Sequence, residues 1–457
     1  MTSSRRSLVG GLLLALLMFG SFPSAHALPA FARKYGLRCS ACHEAWPMLN
    51  YFGQKFKDNG YQLMNDRDAP IWQNPSYWPV TFRITPIWHR ESTNRVAIDT
   101  VAGTNTAERQ ITSHGFDLTG LDFHTGGTLD KNLSFYVLPS SDNTGAFHFE
   151  QVFARVDNLL NSSWLNVKLG KFELDNLVSE KRILTLSTFG GAYDIYHFIP
   201  VNDGNLFGQI GDNQLGIELM GHSVNDRTRY SASLLSSSDG NPGLLYGNGY
   251  SGFFTFSQAF DTGKLGVQRV GAYAMIGEAP TYYFTSGGVP IPGSGLGNKS
   301  FNREGFVGQF YLGRLDFQVV TQHGWDSAWF GAGYGDLPDG AAPAGNNTPG
   351  TILPPGARAP TWNGAFVETH FVYSPQLIFI QRSEWVRMSQ QASALMPSDL
   401  GNLDTYVFGY RYMPIMTSRA GFAFFNEYSW NRERGASPVS GSDLIGSSLL
   451  LGIDFDF

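Results

Sequence analysis

The chain has 457 residues, enough for one large β domain or two to three ordinary ones. Aromatics make up 14% while charged residues stop at 15%, against roughly 25% charged in a typical soluble domain. A formal charge of −6 offers no basic surface for nucleic acid, and no stretch beyond the N-terminus approaches the roughly 20 apolar residues of a spanning helix.

Residues 1–27 read as a signal peptide. Arg5 and Arg6 supply the positive end, Leu8 to Phe19 the apolar core, and Ala25-His26-Ala27 the cleavage site, which leaves Leu28 as the mature start. Ser4-Arg5-Arg6 resembles a twin-arginine signal, but strands bound for a membrane and an unfolded haem-acceptor segment should cross the inner membrane unfolded. Removal of the peptide takes away two Arg and no acids, moving the formal charge from −6 to −8.

The next signal is Cys39-Ser40-Ala41-Cys42-His43, which contains both cysteines of the chain. C-x-x-C-H is the attachment signature of c-type haem. Two thioethers grip the two vinyl edges, and the following imidazole ligates the iron. On one helical turn, positions i, i+3 and i+4 share a face, so a single helix would aim all three at one macrocycle. A zinc site needs more ligands, and no second cysteine pair exists. A redox dithiol normally sits in a βαβ pattern, which is absent. The expected cofactor is therefore one covalent haem c, held by Cys39 and Cys42, with His43 as axial ligand.

A helix is expected from Glu44 to Asp58, with Leu49, Phe52 and Phe56 at helical spacing and Asn59-Gly60 as its stop. Residues 28–78 form the haem segment, and 51 residues are too few to bury a haem alone, so the segment should lean on or enter the rest of the protein. Met48 lies too close to His43 to reach the opposite haem face. Met64, 21 residues beyond His43 and past the turn, is the expected distal ligand. Barrel histidines, such as His89, His124 or His148, remain alternatives.

From residue 79 to 457 the pattern is that of strands. Leu449, Leu451, Ile453, Phe455 and Phe457 form one face of the last segment, with Leu450 as an exception on the other. Tyr406, Phe408, Tyr410 and Tyr412 alternate with Thr405, Val407, Gly409 and Arg411, and Leu165, Val167 and Leu169 with Asn166, Lys168 and Gly170. Such aromatic faces suit lipid-facing strands. Sixteen candidates follow, near 80–90, 115–126, 131–140, 146–157, 164–174, 213–223, 228–237 and 250–261, then 264–277, 304–313, 315–326, 361–373, 376–389, 403–414, 418–431 and 443–457. Short connections (Gly127–Asp130, Asp261–Lys264, Ser374-Pro375, Ile415–Ser418) alternate with long ones at 91–114, 175–212, 278–303 and 327–360. That asymmetry predicts an all-β fold: a 16-stranded antiparallel transmembrane barrel in the outer membrane of a Gram-negative bacterium, short turns periplasmic. An even strand count returns both ends to one side, so the haem segment belongs at the periplasmic mouth or inside. The loop 175–212 holds the place of the loop that narrows the lumen of general porins, a topological likeness.

The run Phe31 to Leu63 is similar to the haem segment of the fused outer-membrane cytochrome–porins, a family that includes the monohaem iron-oxidising cytochrome of iron-oxidising bacteria. The matching features are Phe31-Ala32-Arg33, Cys39, Cys42, His43, Pro47, Leu49-Asn50, Phe52-Gly53, Phe56 and Asn59-Gly60-Tyr61, over about 33 residues. The barrel matches by architecture alone. The resemblance implies electron transfer across the outer membrane, commonly as an Fe(II):cytochrome c oxidoreductase that delivers electrons to periplasmic carriers. It gives haem-binding roles to Cys39, Cys42 and His43 and none to an iron site. Asp99, Glu108, Asp203 and Asp336 are acidic residues on expected loops that would attract Fe²⁺. Two other readings stay open: a conduit for a different extracellular donor or acceptor, and a solute porin whose haem plug senses or gates.

Overall fold

The computed structural model describes residues 30–63, 80–101, 104–141, 145–198, 210–236, 250–281, 297–327, 359, 361–388, 402–417, 420–435, 437 and 440–457. The expected signal peptide, Met64, Asp203, Asp336 and most of the 327–360 connection lie outside them, as does the Asp99 side chain.

Sixteen antiparallel strands close into one barrel. The first eight are β3 (Val80–Val101), β4 (Thr104–Asp130), β5 (Leu133–Ser141), β6 (Phe147–Val156), β7 (Asn166–Glu173), β8 (Asn213–His222), β9 (Thr228–Leu235) and β10 (Ser251–Asp261). They are followed by β11 (Val267–Thr281), β12 (Gly297–Leu312), β13 (Leu315–Asp326), β14 (Thr361–Ser374), β15 (Leu377–Met388), β16 (Asn402–Met416), β17 (Gly421–Arg434) and β18 (Leu444–Asp456). Neighbours in sequence are neighbours in space, and β18 pairs with β3 to seal the ring. At the seam Phe82 and Phe457 exchange two backbone hydrogen bonds of 2.9 Å, and their rings stack at 5.2 Å.

The period of two sorts the side chains as the wall requires. Tyr406, Phe408 and Tyr412 point outward, as do Leu451, Phe455 and Phe457, while Thr405, Val407, Arg411, Asp454 and Asp456 are buried inside. An apolar, aromatic exterior over a polar interior defines a membrane-spanning barrel of the outer-membrane type. Among the described residues no helix is long and apolar enough to cross a membrane. The exception at Leu450 has a local cause. It packs inside with Ile87 and Phe425, beneath Leu186 of the β7–β8 loop.

That loop crosses the lumen. The Leu186 and Ser187 amides donate to Glu427 on β17 at 2.7–2.8 Å, and the Ile195 amide donates to Glu384 on β15 at 2.7 Å. Arg382 on β15 donates to the carbonyls of Gly190 (3.0 Å) and Ala192 (2.8 Å), and Tyr193 stacks on Phe366 of β14 at 4.3 Å.

One expected loop is not a loop. Residues 91–101 and 104–114 continue β3 and β4 as one paired ladder that runs on to Val101 and Thr104. Beyond Thr93, β3 has no further partner in β18, so the ladder extends past the rim. Exposure of both its faces removes the apolar alternation by which strands are recognised, and Gln110 to His114 are all exposed.

The alternation of short turns with long connections sets a testable orientation. A tag inserted at Gly340, between β13 and β14, will be cleaved by protease added to intact cells, and one inserted within Asp261–Lys264 will be protected. The reverse pattern would invert the barrel.

Candidate functional site

The N-terminal segment is built of short pieces: α1 (Ala30–Tyr35), α2 (Cys39–Cys42), a small hairpin of β1 (His43–Ala45) with β2 (Met48–Leu49), and α3 (Tyr51–Asp58). The expected helix over Glu44–Asp58 is thus present only in its second half. Pro47 lacks an N–H and disfavours helical geometry at the residue before it, so Trp46-Pro47 makes a hairpin turn instead. α3 starts where Asn50 caps it, its side-chain oxygen accepting from the Gly53 amide at 2.9 Å. It ends at Asn59, and Gly60 follows at φ 72°.

The hairpin also changes the expected haem-motif geometry. α2 stops at Cys42, and His43 is extended at φ −119°, ψ 140°, so one helical turn does not carry all three groups. Asn50 ties the pieces together. Its amide nitrogen donates to the Ala41 carbonyl at 3.0 Å, and its backbone N–H donates to the Cys42 carbonyl at 2.9 Å. Gly53 lets α3 lie directly on the motif, since a Cβ there would sit 2.1 Å from the Cys42 oxygen.

The segment packs against the inner wall of the barrel. Phe31 stacks on Tyr61 at 4.9 Å and meets Phe56 edge-on at 5.3 Å, and Tyr61 continues onto Tyr136 of β5 at 6.1 Å. Charge fixes the end of α3. Glu173 of β7 accepts both Lys57 and Arg182, and Arg155 of β6 donates to the backbone carbonyls of Lys57 (2.9 Å) and Asp58. Arg229 of β9 bridges Asp58 at 2.8 Å and Asp175 at 3.0 Å, all three side chains buried. Residues 30–63 therefore do not stand alone, and these contacts with the wall add to their packing.

Between segment and wall is a cavity of about 500 Å³ whose lining includes Cys39, Cys42, His43, Trp46, His124 and Tyr136. That volume falls within the roughly 300–1,000 Å³ of small-molecule and cofactor sites. The residues fit a covalently held haem in three respects. Both cysteines line one cavity with the imidazole that follows them, the Cys39 thiol donating to the Thr417 carbonyl at 3.2 Å. His43 Nδ1 stands 3.2 Å from the Pro47 carbonyl and 3.3 Å from that of Met48. Carbonyls only accept, so Nδ1 carries the proton and Nε2 keeps the lone pair a metal needs. Burial also pushes the His43 imidazolium down to about 4, which keeps the ring neutral.

The thiols are the opposite of an activated dithiol. Burial, with the nearby Asp456 carboxyl, raises Cys39 to about 12, and burial raises Cys42 to about 11. A redox C-x-x-C pair instead requires a lowered thiol.

The other sequence candidates disperse. The Met48 sulfur accepts from Gln318 on β13 at 3.2 Å and is buried against the wall. His89 pairs with Glu91 at 3.0 Å and His148 with Glu150 at 2.8 Å; neither lines the cavity. Glu108 is bound by Arg95 and Ser440 at the rim. Asn50 entered the sequence reading only as part of the Leu49-Asn50 match, not as a cap; Glu173, Arg182 and Arg229 were not singled out, because their roles depend on which strand faces the segment.

Fold and cavity together define an outer-membrane β-barrel closed around a C-x-x-C-H segment. No family model and no curated protein matches the chain. Among solved structures it is similar to the anion-selective porin from Comamonas acidovorans, with 11% identity, 83% of this chain and 99% of that chain covered, and a TM-score of 0.47. It is also similar to Pseudomonas putida OprB (10%, 82% and 94%, 0.47) and to an OmpT loop-deletion mutant from Vibrio cholerae (11%, 82% and 99%, 0.46). The barrel class rests on the strand pairing itself and not on these likenesses.

The Arg229 bridge gives a pH prediction. Burial alone would raise the Asp175 carboxyl, but Arg229, aided by Lys57, Lys168 and Arg182, holds it down at about 2, below the roughly 3.9 of an unfolded chain. A depressed carboxylate stabilises the fold above the unfolded value, and that contribution is lost as pH falls through the folded one. The segment should therefore stay docked from neutral pH to about 4 and loosen as pH falls toward 2. Arg229→Ala, which strands two buried carboxylates at a cost of about 3–5 kcal/mol, should loosen it already at pH 7. Limited proteolysis of residues 30–63 checks both outcomes.

Proposed function

We propose that this chain is an outer-membrane monohaem cytochrome–porin that takes electrons from Fe(II) outside the cell and hands them to a periplasmic carrier such as a soluble cytochrome c. The observation that carries the reading is a C-x-x-C-H run lining a cavity inside a membrane-spanning barrel. A haem bound there supplies a one-electron relay. The chain's own residues do the rest. Cys39 and Cys42 hold the group covalently, and His43 offers Nε2 with its tautomer set by two carbonyls. Lys57, Arg83 and Arg182 line the same cavity, each paired to a carboxylate of the wall, Glu173 or Asp454. Each Fe²⁺ gives up one electron and leaves as Fe³⁺, so the barrel needs no pocket for organic chemistry. The choice of Fe(II) as donor rests on the resemblance of Phe31–Leu63 to the iron-oxidising family. A different donor or acceptor would use the same relay.

A solute porin with a haem plug is the reading the barrel alone favours. Against an open channel stand the two pieces of chain inside the lumen, the N-terminal segment and the β7–β8 loop. Conductance of the purified protein in planar bilayers tests it, and large open-pore currents would support the porin.

Two measurements test the main reading. The double variant Cys39→Ala, Cys42→Ala will give a barrel with no haem-staining band on a denaturing gel, and His43→Ala will keep the stain with altered iron ligation. A stained band in the double variant would refute covalent attachment. In proteoliposomes with loops outward, external Fe(II) will reduce the oxidised protein, which will then reduce an enclosed soluble cytochrome. Protein that stays oxidised with Fe(II) but accepts electrons from another donor would leave the general conduit in its place.

A further inference from the structure

We propose that His124, on the barrel wall, is the second axial ligand of the haem, in place of a methionine from the N-terminal segment. The inference rests on the haem reading above. Asp122, His124 and Gly126 of β4 alternate with Phe123, whose ring joins the outer aromatic belt by packing on Phe82 at 4.7 Å. His124 therefore points inward, where it lines the same cavity as Cys39, Cys42 and His43. Its Nδ1 lies 2.7 Å from the Tyr136 hydroxyl. Its Nε2 is buried with no hydrogen-bond partner.

A buried, unpartnered imidazole nitrogen is a cost that native chains seldom carry without a purpose. Metal ligation removes that cost. An outer hydrogen bond on one ring nitrogen with the other left bare is the arrangement of a metal-binding histidine. His43 has it through two carbonyls, and the Tyr136 hydroxyl is placed to accept from His124 Nδ1 in the same way. The two imidazoles face a common neighbour, since Trp46 meets His43 edge-on at 4.7 Å and His124 at 6.1 Å. The indole of Trp46 therefore lies beside both rings, and all three residues line the one cavity. Of the three barrel histidines that the sequence offered, His89 and His148 are paired to carboxylates elsewhere.

The assignment gives the wall of the barrel a direct bond to the relay. It also implies a bis-imidazole iron, whose potential lies below that of a His/Met site of similar surroundings.

The test uses the full-length protein in detergent, with haem staining, near-infrared absorption and low-temperature electron paramagnetic resonance. The expected wild-type result is covalent haem, a low-spin bis-imidazole signal and no sulfur-to-iron band. His124→Ala should convert the signal to high spin, and added imidazole should restore low spin. Met64→Ala should leave the spectrum unchanged. His124→Met should introduce a sulfur-to-iron band, a second route should the alanine variant not fold. A sulfur-to-iron band in the wild type, lost in Met64→Ala, would overturn the assignment, as would a low-spin signal that survives His124→Ala. A wild type without covalent haem would overturn the haem reading itself, and this assignment with it.

Discussion

In hydrocarbon no water is available to an open strand edge, and every unmet backbone group costs several kcal/mol. The β18–β3 seam answers that constraint, ending in the paired amides and stacked rings of Phe82 and Phe457. Closure fixes the alternation of every strand, so half the side chains of the wall must face a lumen. Because that interior is crowded rather than watery, its charges must find one another. Arg83 with Asp454, Arg303 with Asp326 and Arg229 with Asp58 and Asp175 are results of that rule. The N-terminal segment and the β7–β8 loop are held by the same chemistry.

This explains why a segment of so few residues can form a site. Its own apolar core is a small aromatic cluster around Phe31, Phe56 and Tyr61. The barrel supplies the far wall of the cavity, the ion pairs that pin α3, and a second imidazole, His124, beside that of His43. Segment and barrel are therefore a single packed unit, although the sequence changes character sharply near residue 79.

Much of this was legible in the sequence. All sixteen strands follow from period-two alternation, because lipid on one side and paired charge on the other leave a strong pattern. The β3–β4 extension was missed because both its faces meet water, and the front half of the α3 region because Pro47 outweighs apolar spacing. At the site, Cys39, Cys42 and His43 were readable because they form one contiguous C-x-x-C-H run, and the structure places all three on one cavity. His124 was one of three histidines with equal claims. Only the register of β4 against its neighbours shows that it faces the segment, and sequence patterns do not report which strand lies over a plug. The distal ligand expected at Met64 falls outside the described residues.

The β7–β8 loop has a consequence for mechanics. It leaves the wall at β7, returns at β8, and fastens its middle to β14, β15 and β17. In a ring of sixteen, β15 stands eight places from β7, directly across. The loop is therefore a strut along a diameter. A thin-walled cylinder flattens easily, and flattening changes the distance between opposite walls more than any other. With Glu384 and Glu427 gripping the strut by its amides, the cross-section cannot become elliptical without breaking buried hydrogen bonds. A cavity whose lining comes partly from the plug and partly from the wall keeps its dimensions only in a barrel braced in this way.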